Sequence, residues 1–114
     1  MTSRNPPTVL PSVPVDLVAV AIGGCQVILA WTECEVGAFE FRIERADGIG
    51  SASRFSEVGR TGAHVAAFRD GTVKPGTTYS YRVHAWNASG DSPPTDVVEV
   101  TTPRIGKELP ADKD

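Results

Sequence analysis

Short runs in which every second residue is apolar, cut apart by turn dipeptides, constrain this chain more than any other feature. Val27, Leu29 and Trp31 alternate with Ile28, Ala30 and Thr32. Phe39, Phe41 and Ile43 alternate with Glu40, Arg42 and Glu44, and Val98 and Val100 with Val97, Glu99 and Thr101. Tyr79, Tyr81, Val83 and Ala85 alternate with Ser80, Arg82, His84 and Trp86. Successive side chains of a strand point to opposite faces, so this period builds half-buried strands. No window sustains the i, i+3, i+4, i+7 spacing of an amphipathic helix. Leu17 and Ala19 near the start, Phe55 to Val58 in the middle, and Ala66 and Phe68 bring the predicted strands to seven. Gly23-Gly24, Asp47-Gly48, Gly59, Asp70-Gly71, Pro75-Gly76, Ser89-Gly90-Asp91 and Pro93-Pro94 mark turns between them. Short strands at this spacing predict an all-β, antiparallel sandwich or barrel, not a parallel α/β sheet.

Pro6, Pro7 and Pro11 cannot donate to a ladder, so residues 1–13 read as a flexible, proline-rich leader. Residues 104–114 read as a flexible charged tail, which leaves 14–103 as one domain. A net charge of −3 over 114 residues has the wrong sign and size for a nucleic-acid partner. No apolar run approaches the ~20 residues that span a bilayer, so membrane insertion is not expected. Nothing near Met1 resembles a signal peptide.

Several segments together resemble fibronectin type III domains. Val73-Lys74-Pro75-Gly76-Thr77-Thr78-Tyr79 is similar to the segment that leads into that family's sixth strand, and Tyr81 to Ser92 to that strand and the turn after it. Leu29-Ala30-Trp31 resembles the second strand with its core tryptophan, Phe41 to Arg45 the third, and Val97 to Pro103 the last. The likeness covers about 90 residues in the family's order, and its wording resembles domains of bacterial secreted enzymes and surface proteins. It implies a seven-stranded, immunoglobulin-like β-sandwich of fibronectin type III topology. It also implies a tyrosine corner at Tyr79 with a backbone partner near Val73. Trp31, Tyr79, Tyr81, Leu29, Phe41 and Phe68 are the expected structural core.

No catalytic constellation is legible. His64 and His84 have neither Cys-x-x-Cys nor His-Glu-x-x-His spacing around them, so no metal site is predicted. His64 is expected to begin a strand, and His84 to point outward among charged neighbours. Glu33 and Glu35, with Glu40 and Glu44, resemble a carboxylate set for glycoside chemistry, against which Glu40 and Glu44 fall on an exposed strand face and read as solvated charge. There is no phosphate-binding glycine loop, and no cofactor is expected. Cys25 and Cys34 flank a predicted strand whose ends are ~20 Å apart. A disulfide needs Cα atoms within ~7 Å, so two free thiols are expected, with a bridge to another chain as the alternative. Arg69-Asp70-Gly71 has the wrong order for the adhesive Arg-Gly-Asp triplet. Asn87-Ala88-Ser89 fits the glycosylation pattern, against which stands a plain turn role for Asn87.

The alternation also separates two outer faces. Arg42, Glu44, Arg82, His84 and Glu99 fall outside the sheet of the third, sixth and seventh strands, where opposite charges pair across strands. Val18, Val20, Ile28, Ala30, Val65 and Ala67 fall outside the sheet of the first, second and fifth strands. That apolar patch is the candidate interface, for a neighbouring domain or another protein, with weak self-association. The competing expectation is that the leader folds over it. Trp86, with His84, is the candidate ligand contact, with packing of Trp86 over its own loop as the alternative. The predicted role is a non-catalytic module that spaces, orients or docks parts of a larger protein. A recognition module for a carbohydrate or protein ligand is the second choice. The expected setting is extracellular or cell-surface, within a larger bacterial protein.

Overall fold

The computed structural model describes residues 9–33, 37–47 and 54–104. They form eight strands: β1 Val15–Ala21, β2 Val27–Thr32, β3 Glu40–Asp47, β4 Ser56–Gly62, β5 Ala67–Asp70, β6 Thr78–Asn87, β7 Gly90–Asp91 and β8 Val98–Thr101. One sheet has the order β1-β2-β5. The other has the order β4-β3-β6-β7, with β8 also on β6. All pairings are antiparallel. The extra strand is the two-residue β7, where Trp86 faces Asp91 and Asn87 faces Gly90. The sequence reads these residues as turn, because a glycine between polar residues carries no alternation.

The inward sets close over one another. Val27, Leu29, Phe41, Ile43, Tyr81, Val83 and Ala85 are almost wholly buried, with Leu17, Trp31, Val73 and Tyr79 beside them. Trp31 meets Phe41 edge-on, with ring centroids 5.5 Å apart. The Tyr79 hydroxyl accepts from the Lys74 amide at 2.8 Å, one residue beyond the expected partner. Phe68 is half-buried and packs on the rim of this core. Its ring covers Gly59, where an added Cβ would meet ring carbons at 2.3 Å.

Four details depart from the sequence reading. Phe39 is not inward: it sits at a bend before β3 and is 59% exposed, because the pleat that enforces alternation begins only at Glu40. Gly59 is not a turn but pairs with Ile43 inside β4, and a bulge follows at once between Ile43 and Glu44. His64 lies in a turn with φ of 67°, ahead of β5 rather than in it. Asp70 ends β5 and is buried.

The described part of the leader lies against the domain. Pro11 and Pro14 are buried, and Asn87 Nδ2 donates to the Val9 carbonyl at 3.2 Å. It covers the turn after β6, not the outer face of β1-β2-β5. At the other end, Arg104 packs beside Gly76.

Candidate interaction faces

Strand register fixes the outer surface of the three-stranded sheet as a grid. Val20, Ile28 and Arg69 form one row, and Val18, Ala30 and Ala67 the next. Val18 and Val20 are each 53% exposed and Val65 is 50% exposed. Ala67 is exposed, while Ile28 and Ala30 are half-covered by their neighbours. Val18, Val20, Ile28, Ala30 and Ala67 therefore share one surface, while Val65 lies ahead of β5, outside the paired rows. β1 closes its free edge with a bulge between Val15 and Val18, where Asp16 takes φ of 59°. Such a kink discourages pairing along the edge and leaves the flat face as the available surface.

The outer face of the larger sheet is a lattice of ion pairs. Arg82 Nε donates to Glu44 at 2.7 Å, and Arg42 to Glu40 at 2.8 Å. The His84 side chain, only 12% exposed, has Glu44 Oε2 3.4 Å from Nε2 and Asp91 Oδ1 3.5 Å from Nδ1. His84 is thus enclosed rather than presented. Trp86 packs across strands rather than over its own loop: the Arg42 guanidinium lies 4.8 Å from the centre of its ring, and Phe39 meets it edge-on at 6.2 Å. One face of the indole is already occupied, which weakens a sugar platform there, while Phe39 adds an exposed ring beside it.

The sequence gives little sign of the buried polar clasp between the sheets. Asp70 on β5 accepts from the Tyr81 hydroxyl at 2.7 Å and from Arg45 Nη1 at 2.9 Å, joining one sheet to two strands of the other. The Thr72 amide and hydroxyl complete the shell at 2.9 and 2.7 Å. Burial by itself would raise the Asp70 carboxyl. The hydrogen bonds from Thr72, Tyr81 and Arg45 outweigh it and hold the group below the ordinary carboxylate range. Burial, then the bond to Asp70, pushes the Tyr81 phenol up. Inward parity at residue 70 was the available signal, since Ala66 and Phe68 precede it in the same phase. The Asp-Gly dipeptide masks that parity by reading as a turn.

Cys25 is a free, exposed thiol, and Cys34 lies outside the described residues. His64 Nδ1 is 3.1 Å from Glu33 Oε1. Among the described residues no group of three or more metal-ligating side chains converges, and no helix is long and apolar enough to cross a membrane. Asn87 serves its turn: Oδ1 accepts from the Ser89 amide at 2.8 Å, and Nδ2 also reaches the Gly37 carbonyl at 3.3 Å.

Neither a family model nor a curated protein matches the chain. Solved structures do. The fibronectin type III domain of human fibronectin type III domain containing protein 3 is 22% identical, with 89% of this chain and 94% of that one covered and a TM-score of 0.69. The FN1–FN3 domains of chicken CNTN1 are 20% identical, with 83% of this chain covered and a TM-score of 0.73. A structure of several titin domains is 20% identical over 83% of this chain, with a TM-score of 0.70. This chain spans 33% of the length of each of the latter two. At these identities the likeness defines the fold, an immunoglobulin-like sandwich of fibronectin type III topology.

Proposed function

We propose that the chain is a non-catalytic module that spaces, orients or docks other domains of a larger protein. One observation carries this reading. The described chain enters beside Asn87, at one end of β6, and leaves beside Gly76, just before the other end. Nine strand steps of ~3.3 Å hold these points ~30 Å apart on a continuous ladder. Such a ladder does not stretch without breaking hydrogen bonds, so it sets a fixed distance between whatever joins the two ends. The CNTN1 and titin structures each contain this fold in a run of domains, which supports the reading. The apolar outer face of β1-β2-β5 supplies a docking surface. The wording of the sequence motifs supports a bacterial, extracytoplasmic parent protein.

Spin labels on Val9→Cys and Arg104→Cys, with Cys25 and Cys34 replaced by serine, test the spacing. The expected distance distribution is narrow and centred at about 30–35 Å. A broad distribution, or one centred below about 20 Å, overturns it. Phe39 beside Trp86 favours a second reading, recognition of a carbohydrate or protein ligand. A tryptophan fluorescence titration with soluble polysaccharides that gives a saturable shift, lost in Trp86→Ala, would establish it. An unchanged spectrum rules out sugar stacking on this ring.

A further inference from the structure

The described chain begins by crossing one end of the larger sheet. Leu10 lies against β7, where a Cβ added to Gly90 would stand 3.2 Å from Leu10 Cδ2. One residue earlier, the Val9 carbonyl accepts from Asn87 Nδ2, on β6, at 3.2 Å. The same nitrogen reaches the Gly37 carbonyl at 3.3 Å, so Val9 and Gly37 sit side by side ahead of β3. Traced towards the N-terminus, the path runs from β7 over β6 to the start of β3. Phe39 stands there, two residues beyond Gly37. It is the one aromatic among the exposed large apolar side chains of the described residues. Its ring meets Trp86 edge-on, and the Arg42 guanidinium covers one face of that indole.

We propose that Pro6 and Pro7 seat on the Phe39–Trp86 ring pair, which makes the chain's own leader the occupant of this surface. Pro7 and Pro6 precede Val9 by two and three residues. Consecutive prolines favour polyproline II, which advances ~3.1 Å per residue, so they lie ~6 and ~9 Å upstream of Val9. Two residues of extended chain span at most ~7 Å, which bounds the step from Gly37 to Phe39. The prolines and the rings are thus within the same reach of one point, and the leader is already heading there. The chemistry matches as well. Proline presents an apolar ring and no amide donor, and aromatic side chains dock such segments because polyproline II is preformed and little entropy is lost. Thr8 and Asn5, on either side, are polar, so the two prolines are the apolar residues within reach. Seating them removes exposed Phe39 surface from water. The leader and any ligand of this ring pair then exclude one another. The contact rests on the path of the leader and on neither functional reading given above.

Proton NMR of the full chain tests this. The expected result is that side-chain protons of Pro6 and Pro7 are shifted upfield by the rings and show nuclear Overhauser contacts to Phe39 and Trp86. Phe39→Ser should abolish the upfield shift. Phe39 is 59% exposed, so the fold is kept in that variant, and unchanged Tyr81 signals check it. Replacing both prolines, Pro6→Gly with Pro7→Gly, should move the Trp86 indole signal and raise its quenching by acrylamide, since Trp31 is buried. Proline protons at random-coil shifts in the wild type, or an upfield shift that persists in Phe39→Ser, overturn the proposal. Contacts that vanish on dilution also overturn it, because they belong to the leader of a second copy. The polysaccharide titration separates this contact from the recognition reading. A saturable response stronger in the double-glycine variant than in the wild type supports both. A response of equal strength in the two counts against the leader contact and for recognition. No response in either ends sugar stacking, and the proline shifts then decide the leader contact alone.

Discussion

Trp31, Tyr79 and Asp70 are all buried, yet each holds the sandwich in a different way. Trp31 contributes area, and Trp31→Ala is expected to cost roughly 3–5 kcal/mol in urea unfolding, close to the whole stability of a small domain. Tyr79 satisfies the Lys74 amide, so Tyr79→Phe should cost about 1–3 kcal/mol through the orphaned donor, with the ring still packed. Asp70 is a charged acceptor, and its effect depends on pH. Its carboxyl in the folded chain titrates below the ordinary value, so the stability it contributes is present above about pH 4 and is lost as the pH falls through the folded value. The thermal stability of the wild type should therefore fall below about pH 4. Asp70→Asn should flatten that slope and cost about 3 kcal/mol at neutral pH, because Arg45 loses its buried partner.

Between Ser92 and Thr95, in the link from β7 to β8, the chain is held on β6 by side chains where its own backbone falls short. Pro93 and Pro94 have no amide to give. The main chain still donates from Ser92 to Ala85 and from Thr95 to Val83, both at 2.8 Å. The return bonds go to hydroxyls: the Ala85 amide to Ser92 Oγ at 3.0 Å, and the Val83 amide to Thr95 Oγ1 at 3.1 Å. Ser92→Ala and Thr95→Ala should each cost about 1–2 kcal/mol and speed hydrogen exchange at Ala85 and Val83 respectively. Exchange at both amides unchanged in the variants would show that the hydroxyls are dispensable. In β4, Gly59→Ala must displace the Phe68 ring and should cost about 1–3 kcal/mol, seen as a shift of the Phe68 ring resonances.

For the whole molecule, two sheets of unlike surface share one core. The larger sheet covers its outer face with paired charges and is self-sufficient. The smaller one leaves valines in water beside Arg69, which has no ionic partner among the described residues. A contiguous apolar face on so small a domain is where a partner would lower the free energy most, which is the ground for proposing docking there. In the proposed spacer reading, the ladder of β6 between Asn87 and Gly76 sets the fixed length.

Period-two patterning by itself determined seven of the eight strands, the inward sets around Trp31, Phe41 and Tyr81, and the grouping of Val18, Val20 and Ile28 on one side, because parity is a local property of an extended chain. Parity stops at the ends of a ladder, so the exposure of Phe39 and the inclusion of Gly59 in β4 required the partner strands. The clasp at Asp70 and the contacts of Phe39 and Arg42 with Trp86 needed residues far apart in sequence. Only the tertiary structure decided these, since strand register and sheet-to-sheet packing set which distant side chains meet.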